Sequence, residues 1–173
     1  AIDSLGLAVR MQTALPQSMD LSCESPQTLD MYGIGEDSTD EFGRQCLLAR
    51  RFAQAGVRFI QLSLTDWDQH EKIERLGDLC HRIDRPIAAL LTDLERQGML
   101  EDTLILWAGE FGRQPEQQSN DGSGRDGRNH NADGYTVWLA GGGVRGGLSY
   151  GETDSLGYEA VENKVHLHDL HAT

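Results

Sequence analysis

The sequence predicts an α/β fold, a mainly parallel sheet flanked by helices, and three observations carry that expectation. Apolar runs of strand length, Val57–Leu64, Thr103–Ala108 and Tyr135–Ala140, alternate with stretches of helical periodicity. Such alternation is the usual pattern of sheets with crossover helices. Each run also adjoins a polar cluster holding Asp, Glu or His, and sites in open α/β sheets form beyond the carboxyl ends of strands. The three strands are expected side by side in one sheet, joined by right-handed crossovers.

Taken in order, Asp3–Leu15 has helical spacing and stops before Pro16. Residues 17–38 are polar and rich in Gly, Ser and Asp, so they predict an irregular connection with one helical turn near Thr28–Tyr32. Thr39 or Asp40 is placed to cap a helix over Glu41–Ala55, with Phe42, Cys46, Leu47, Ala49 and Phe52 inward. Gly56 ends that helix, and Val57–Leu64 follows as a buried strand. A long helix is predicted over Glu71–Gln97, where Leu76, Leu79, Cys80, Ile83, Ile87, Leu90, Leu91 and Leu94 recur at helical spacing. Pro86 inside it predicts a kink or a break. After the strand Thr103–Ala108, residues 114–132 form a long polar loop, a length usually tied to function. Beyond Tyr135–Ala140, glycines bracket Leu148-Ser149-Tyr150, a fourth strand or a hairpin.

The chain has 173 residues and a formal net charge of −13. One domain fits that length. Ala1 is not a start methionine, and Thr173 stops as a helix begins, so residues 1–173 are expected to be a partial domain of a longer protein. A partial sheet would leave an edge open to self-association. The acidic balance disfavours nucleic acid and anionic membranes as partners. Charge is locally more even, with four Arg and five acids between Leu106 and Gly146, so a small anionic substrate is compatible with that region. No run approaches the roughly twenty apolar residues of a membrane span. Cys23, Cys46 and Cys80 form no paired metal motif, and Cys46 and Cys80 are expected as buried thiols.

Three clusters carry the chemistry: Thr65-Asp66-Trp67-Asp68-Gln69-His70, Gly109-Glu110-Phe111-Gly112-Arg113 and Gly127-Arg128-Asn129-His130-Asn131. Carboxylates and imidazoles hold divalent metals. Asp66, Asp68 and His70 share a face if the strand runs on; otherwise Asp68 caps the long helix and His70 is a solvated first-turn residue. Glu110 is delivered directly after a strand. Arg113 has two sensible roles, an ion pair with Glu110 or Asp68, or a clamp on a substrate oxyanion. His130 suits a metal ligand, an acid/base or an exposed loop histidine. The Gly-rich stretches fit no nucleotide fingerprint, and no nucleophile elbow is present.

At these clusters the chain resembles a family. Gly43-Arg44-Gln45-Cys46-Leu47-Leu48-Ala49-Arg50-Arg51, Trp67-Asp68-Gln69-His70, Trp107–Arg113, Gly127–Asn131, Trp138–Gly147 and Ala160–His166 are similar to signatures of an uncharacterised bacterial sulfatase-like family, a domain of unknown function of the alkaline phosphatase superfamily. The resemblance implies a C-terminal portion of such a protein, exported to the periplasm or cell envelope. It implies a metal-dependent hydrolase of phosphate or sulfate esters, with zinc, manganese or calcium held by Asp68, His70, Glu110 and His130, and with Asp66 as a further candidate. Arg113 or Arg128 would stabilise the oxyanion. Two departures point to a degenerate site: Phe111 replaces a ligand, and Asn129 stands where Asp is common. The family's nucleophile would lie before Ala1, so this chain alone is not expected to turn esters over. The alternative is a binding or envelope protein that keeps the fold without catalysis.

Overall fold

The structure is a computed structural model that describes residues 18–117 and 126–172. The helix expected over Asp3–Leu15 lies outside the described residues. The chain divides into two compact units, residues 1–67 with 77–103, and residues 68–76 with 104–173.

The first unit is helical. A 3-10 turn at Leu21–Cys23 leads into α1, Pro26–Met31, which overlaps the helical turn expected near Thr28–Tyr32 within the irregular connection. Ser25 caps α1, its hydroxyl accepting from the Thr28 N–H at 3.0 Å, and Pro26 occupies the first turn where its missing N–H costs nothing. Helix α2 covers Asp40–Gln54 and α3 covers Arg75–Arg96. Thr39 holds the N-cap position of α2 but makes no side-chain cap; its hydroxyl donates instead to the Gly33 carbonyl at 2.7 Å. Both helices end on a glycine of positive φ, Gly56 and Gly98. In each case the glycine N–H and the next N–H turn back to carbonyls of the last turn: Gly56 to Ala53, Val57 to Phe52, Gly98 to Glu95 and Met99 to Leu94. That double return satisfies the orphan carbonyls of the helix end.

Pro86 does not break α3, contrary to the break the sequence allowed. The helix is continuous through it, and Pro86 is fully buried among the apolar stripe Leu79, Ile83, Leu90 and Leu94. Burial of a ring on that face compensates for the lost backbone hydrogen bond. From α2 the buried face is Phe42, Cys46, Leu47 and Ala49. Contacts from Glu41 to Arg82, Arg50 to Asp93 and Gln54 to Gln97 advance together along α2 and α3, so the two helices run in the same direction. Cys80, expected inside, is exposed; only Cys46 of the three free thiols is buried. The i, i+3, i+4 pattern admits Cys80 to the stripe, but its position is at the stripe's margin.

Buried charge is concentrated at one place in this unit. Arg50 is 2.8 Å from Glu24 and 3.0 Å from Asp93, and the Tyr32 hydroxyl donates to Asp93 at 3.0 Å. Arg51 reaches the other oxygen of Glu24 at 2.5 Å. Burial first, and then the neighbouring Asp93 carboxylate, raise the Tyr32 phenol above its ordinary range.

Among the described residues no parallel sheet is formed, which corrects the expected α/β class. Val57–Leu64 is neither strand nor helix, and Phe59 is 93% exposed. Apolar, β-branched residues favour a pleated surface only where a partner strand supplies the ladder, and no described segment pairs with this one. The described strands are short and pair antiparallel in twos. β1, Ile105–Trp107, pairs with β4, Trp138–Ala140; β2, Gly112–Arg113, pairs with β3, His130–Asn131; β5, Glu152–Thr153, pairs with β6, Ala160–Glu162. Two of the expected neighbours, 103–108 and 135–140, do meet, but in opposite directions. Their register sets Trp107 opposite Trp138, whose rings stack with centroids 6.4 Å apart. The expected fourth strand at Leu148–Tyr150 is displaced to β5. A turn at Asp154 closes that hairpin, its carboxylate accepting backbone N–H groups of Leu156, Gly157 and Glu159. Helix α4, Leu167–Ala172, follows.

Candidate metal centre

Two short ladders within the second unit build the site, and both use the segment after residue 125. In the first, residues 69–73 lie alongside 126–128, with an isolated parallel bridge between Lys72 and Asp126. The Arg128 N–H donates to the Gln69 carbonyl at 3.2 Å, the Asp126 N–H to Glu71 at 3.1 Å, and the Ile73 N–H to Asp126 at 2.7 Å. In the second, β2 and β3 set Arg113 directly opposite His130, and the Gln114 N–H continues the ladder to the Asn129 carbonyl at 2.8 Å. The strand-like piece 126–131 thus carries His130 between the segment of Asp68 and His70 and that of Glu110 and Arg113.

Gly127 makes the first ladder possible. A Cβ there would overlap the carbonyl carbon and oxygen of His70 and stand 2.5 Å from the Glu71 nitrogen. On the other side Asn131, buried, ties loops together. Its amide nitrogen donates to the carbonyls of Tyr158 at 2.9 Å and Gly157 at 3.2 Å, and its oxygen accepts from the Asp133 N–H at 3.1 Å. Because side chains alternate along a strand, Asn131 faces the loops while His130 faces the cluster.

Three ligand atoms converge. His70 Nε2 lies 2.8 Å from Asp68 Oδ1, His130 Nε2 lies 3.3 Å from the same oxygen, and the two nitrogens are 3.1 Å apart. These residues form a group able to hold a metal ion. Zinc takes nitrogen and oxygen ligands at about 2.0–2.1 Å, which sets tetrahedral ligand atoms about 3.3 Å apart. The triangle therefore has the dimensions of one face of such a coordination shell, so the residues fit a small divalent ion. Two imidazoles with one carboxylate suit zinc or manganese better than calcium, which takes six to eight oxygens. The Arg113 hydrogen bond above all, with His70 and His130 nearby, holds the Asp68 carboxyl below the usual range.

The other expected residues stand around this triangle. Arg113 Nη2 donates to Asp68 Oδ1 at 2.5 Å, and its Nη1 lies 3.3 Å from His70 Nε2 and 3.1 Å from the Arg128 carbonyl. Glu110 is not among the three converging ligands. Its Oε1 is 2.8 Å from His130 Nδ1, the opposite ring nitrogen, and 3.7 Å from Arg113 Nη2. The Phe111 ring meets His130 edge to face at 5.2 Å, packing against the imidazole. Arg128 turns to its own loop, with Nη1 at 3.3 Å from Asp126 Oδ1 and 3.0 Å from the Gly127 carbonyl. Asp66 belongs to the first unit, has a left-handed backbone at φ 75° and is outside the ligand group. Sequence reasoning missed the parts of Gly127 and Asn131. Glycine and asparagine are common in this loop, and nothing in their spacing separates these two from the others.

Fold and cluster together define a mixed helical and antiparallel-β chain carrying a surface Asp/His/His group. The chain belongs to the family described as Protein of unknown function (DUF1501), which matches it over residues 1–173. No curated protein and no solved structure matches it. The expected tie to sulfatase-like proteins and the alkaline phosphatase superfamily is corrected accordingly: the matching family has no assigned function, and nothing links the chain to that superfamily. None of the helices among the described residues is long and apolar enough to cross a membrane.

Proposed function

We propose that Asp68, His70 and His130 hold one divalent metal ion, and that this centre binds a small phosphate- or sulfate-type ester for hydrolysis. The observation that carries the proposal is the triangle of Asp68 Oδ1, His70 Nε2 and His130 Nε2, with edges of 2.8, 3.1 and 3.3 Å. A bound ion would supply Lewis-acid polarisation of an ester oxygen and lower the pKa of a bound water that attacks it. Arg113 supplies the second half of an anion site. Its guanidinium borders the triangle, and Arg groups suit the paired oxygens of phosphate and sulfate. Arg128, bonded to its own loop, is the weaker candidate for that role.

A second reading, anion binding without turnover, is favoured by one feature. Phe111 packs edge-on against His130, putting an apolar ring with no ligand atom beside the triangle. The experiment is hydrolysis of aryl phosphates and aryl sulfates with added zinc or manganese, alongside calorimetry with inorganic phosphate and sulfate. Metal-dependent turnover that disappears in Asp68→Ala supports hydrolysis. Metal-dependent anion binding without turnover supports the second reading, and a chain that binds neither metal nor anion overturns both.

A further inference from the structure

We infer that Glu110 is a positioning residue for His130, an outer carboxylate that fixes the imidazole's tautomer, rather than a direct metal ligand; the inference rests on the metal reading above. His130 Nε2 faces the triangle, whereas Nδ1 is buried and its nearest carboxylate oxygen, Glu110 Oε1, is 2.8 Å away. The two atoms lie at hydrogen-bonding distance, but the present angle does not make the bond, so Nδ1 is buried beside this carboxylate oxygen. A buried imidazole nitrogen needs such a partner. With Nδ1 carrying the proton toward Glu110, Nε2 keeps its lone pair for an ion. Histidine ligands nearly always donate their other N–H to a carboxylate, carbonyl or water, and losing that partner weakens metal binding roughly 10–100-fold.

The surroundings hold Glu110 in this role. Arg113 Nη2, 3.7 Å from Glu110 Oε1, bonds Asp68 on the triangle, so one guanidinium lies between the ligand carboxylate and the outer one. Phe111, the next residue, packs edge-on against the same imidazole, so one turn both packs the ring and addresses its nitrogen.

The test uses the whole chain and two readouts. In metal-free protein, long-range nitrogen–proton NMR correlations report the His130 tautomer. It is expected to be Nδ1-protonated in the wild type and to shift toward a mixture in Glu110→Ala, with Glu110→Gln intermediate. In the second readout, zinc competition with a chromophoric chelator is expected to give a 10–100-fold weaker site in Glu110→Ala. The cobalt-substituted visible spectrum is expected to keep its shape, because the ligand set is unchanged. An altered cobalt spectrum would make Glu110 a ligand and overturn the inference, as would an unchanged tautomer or an unchanged zinc affinity. A wild type that binds no zinc overturns the metal reading and this inference together. Zinc binding that Glu110→Ala leaves intact overturns this inference alone.

Discussion

Gly127 lies against His70 with no room for a side chain: a Cβ would overlap the His70 carbonyl group. The contact belongs to the backbone hydrogen bonds that bring 69–73 alongside 126–128, and the Nε2 atoms of His70 and His130 lie 3.1 Å apart. Gly127→Ala is expected to force the two segments apart. The stability loss should be about 1–3 kcal/mol, the range for overpacking, and zinc affinity should fall with it. Chemical denaturation and zinc competition on the same variant check this. A variant of wild-type stability and affinity would show that the close approach is not required.

In the first unit, Arg50 is buried between Glu24 and Asp93, and Asp93 also receives the Tyr32 hydroxyl. Removing one partner of a buried charge group leaves the others uncompensated. Arg50→Ala is expected to cost about 3–5 kcal/mol, and Tyr32→Phe only about 1 kcal/mol. Urea midpoints rank the two. Equal effects would argue that solvent reaches this network.

Alkaline pH should weaken the same unit. Burial pushes the Cys46 thiol up to about 12, and burial followed by the Asp93 carboxylate raises the Tyr32 phenol. Both groups hold protons in the folded chain that the unfolded chain releases at lower pH. Their contribution is complete below the unfolded values and disappears as pH rises through the folded ones. Stability is therefore expected to be flat in these two groups up to about pH 8 and to fall above it. Cys46 should resist alkylation at pH 8 while exposed Cys23 and Cys80 react. Thermal melts against pH, with mass spectrometry of the alkylated chain, measure both.

The helices were legible because their signals are local. Asp40–Gln54 and Arg75–Arg96 lie within a few residues of the spans that apolar periodicity and the glycines at 56 and 98 mark out. Strand pairing was not legible, since an apolar run specifies neither its partner nor its direction. Ile105–Trp107 and Trp138–Ala140 pair antiparallel, and Val57–Leu64 joins no ladder among the described residues. For the candidate site, residue type pointed to the side chains but not to their arrangement. The ion pair of Arg113 with Asp68 was one of the two roles the sequence offered, but that Glu110 addresses the outer nitrogen of His130 depends on the register that sets Arg113 opposite His130.

The most direct test of the metal centre is zinc stoichiometry and affinity by competition titration. The panel is the wild-type chain, His70→Ala, His130→Ala and, as a control, the exposed His81→Ala. One zinc per chain is expected in the wild type and in His81→Ala. Both ligand variants should lose affinity beyond the roughly 10–100-fold that an outer-sphere partner costs. A wild type that takes up no zinc, or one whose zinc site survives in His70→Ala and His130→Ala, would contradict the metal centre.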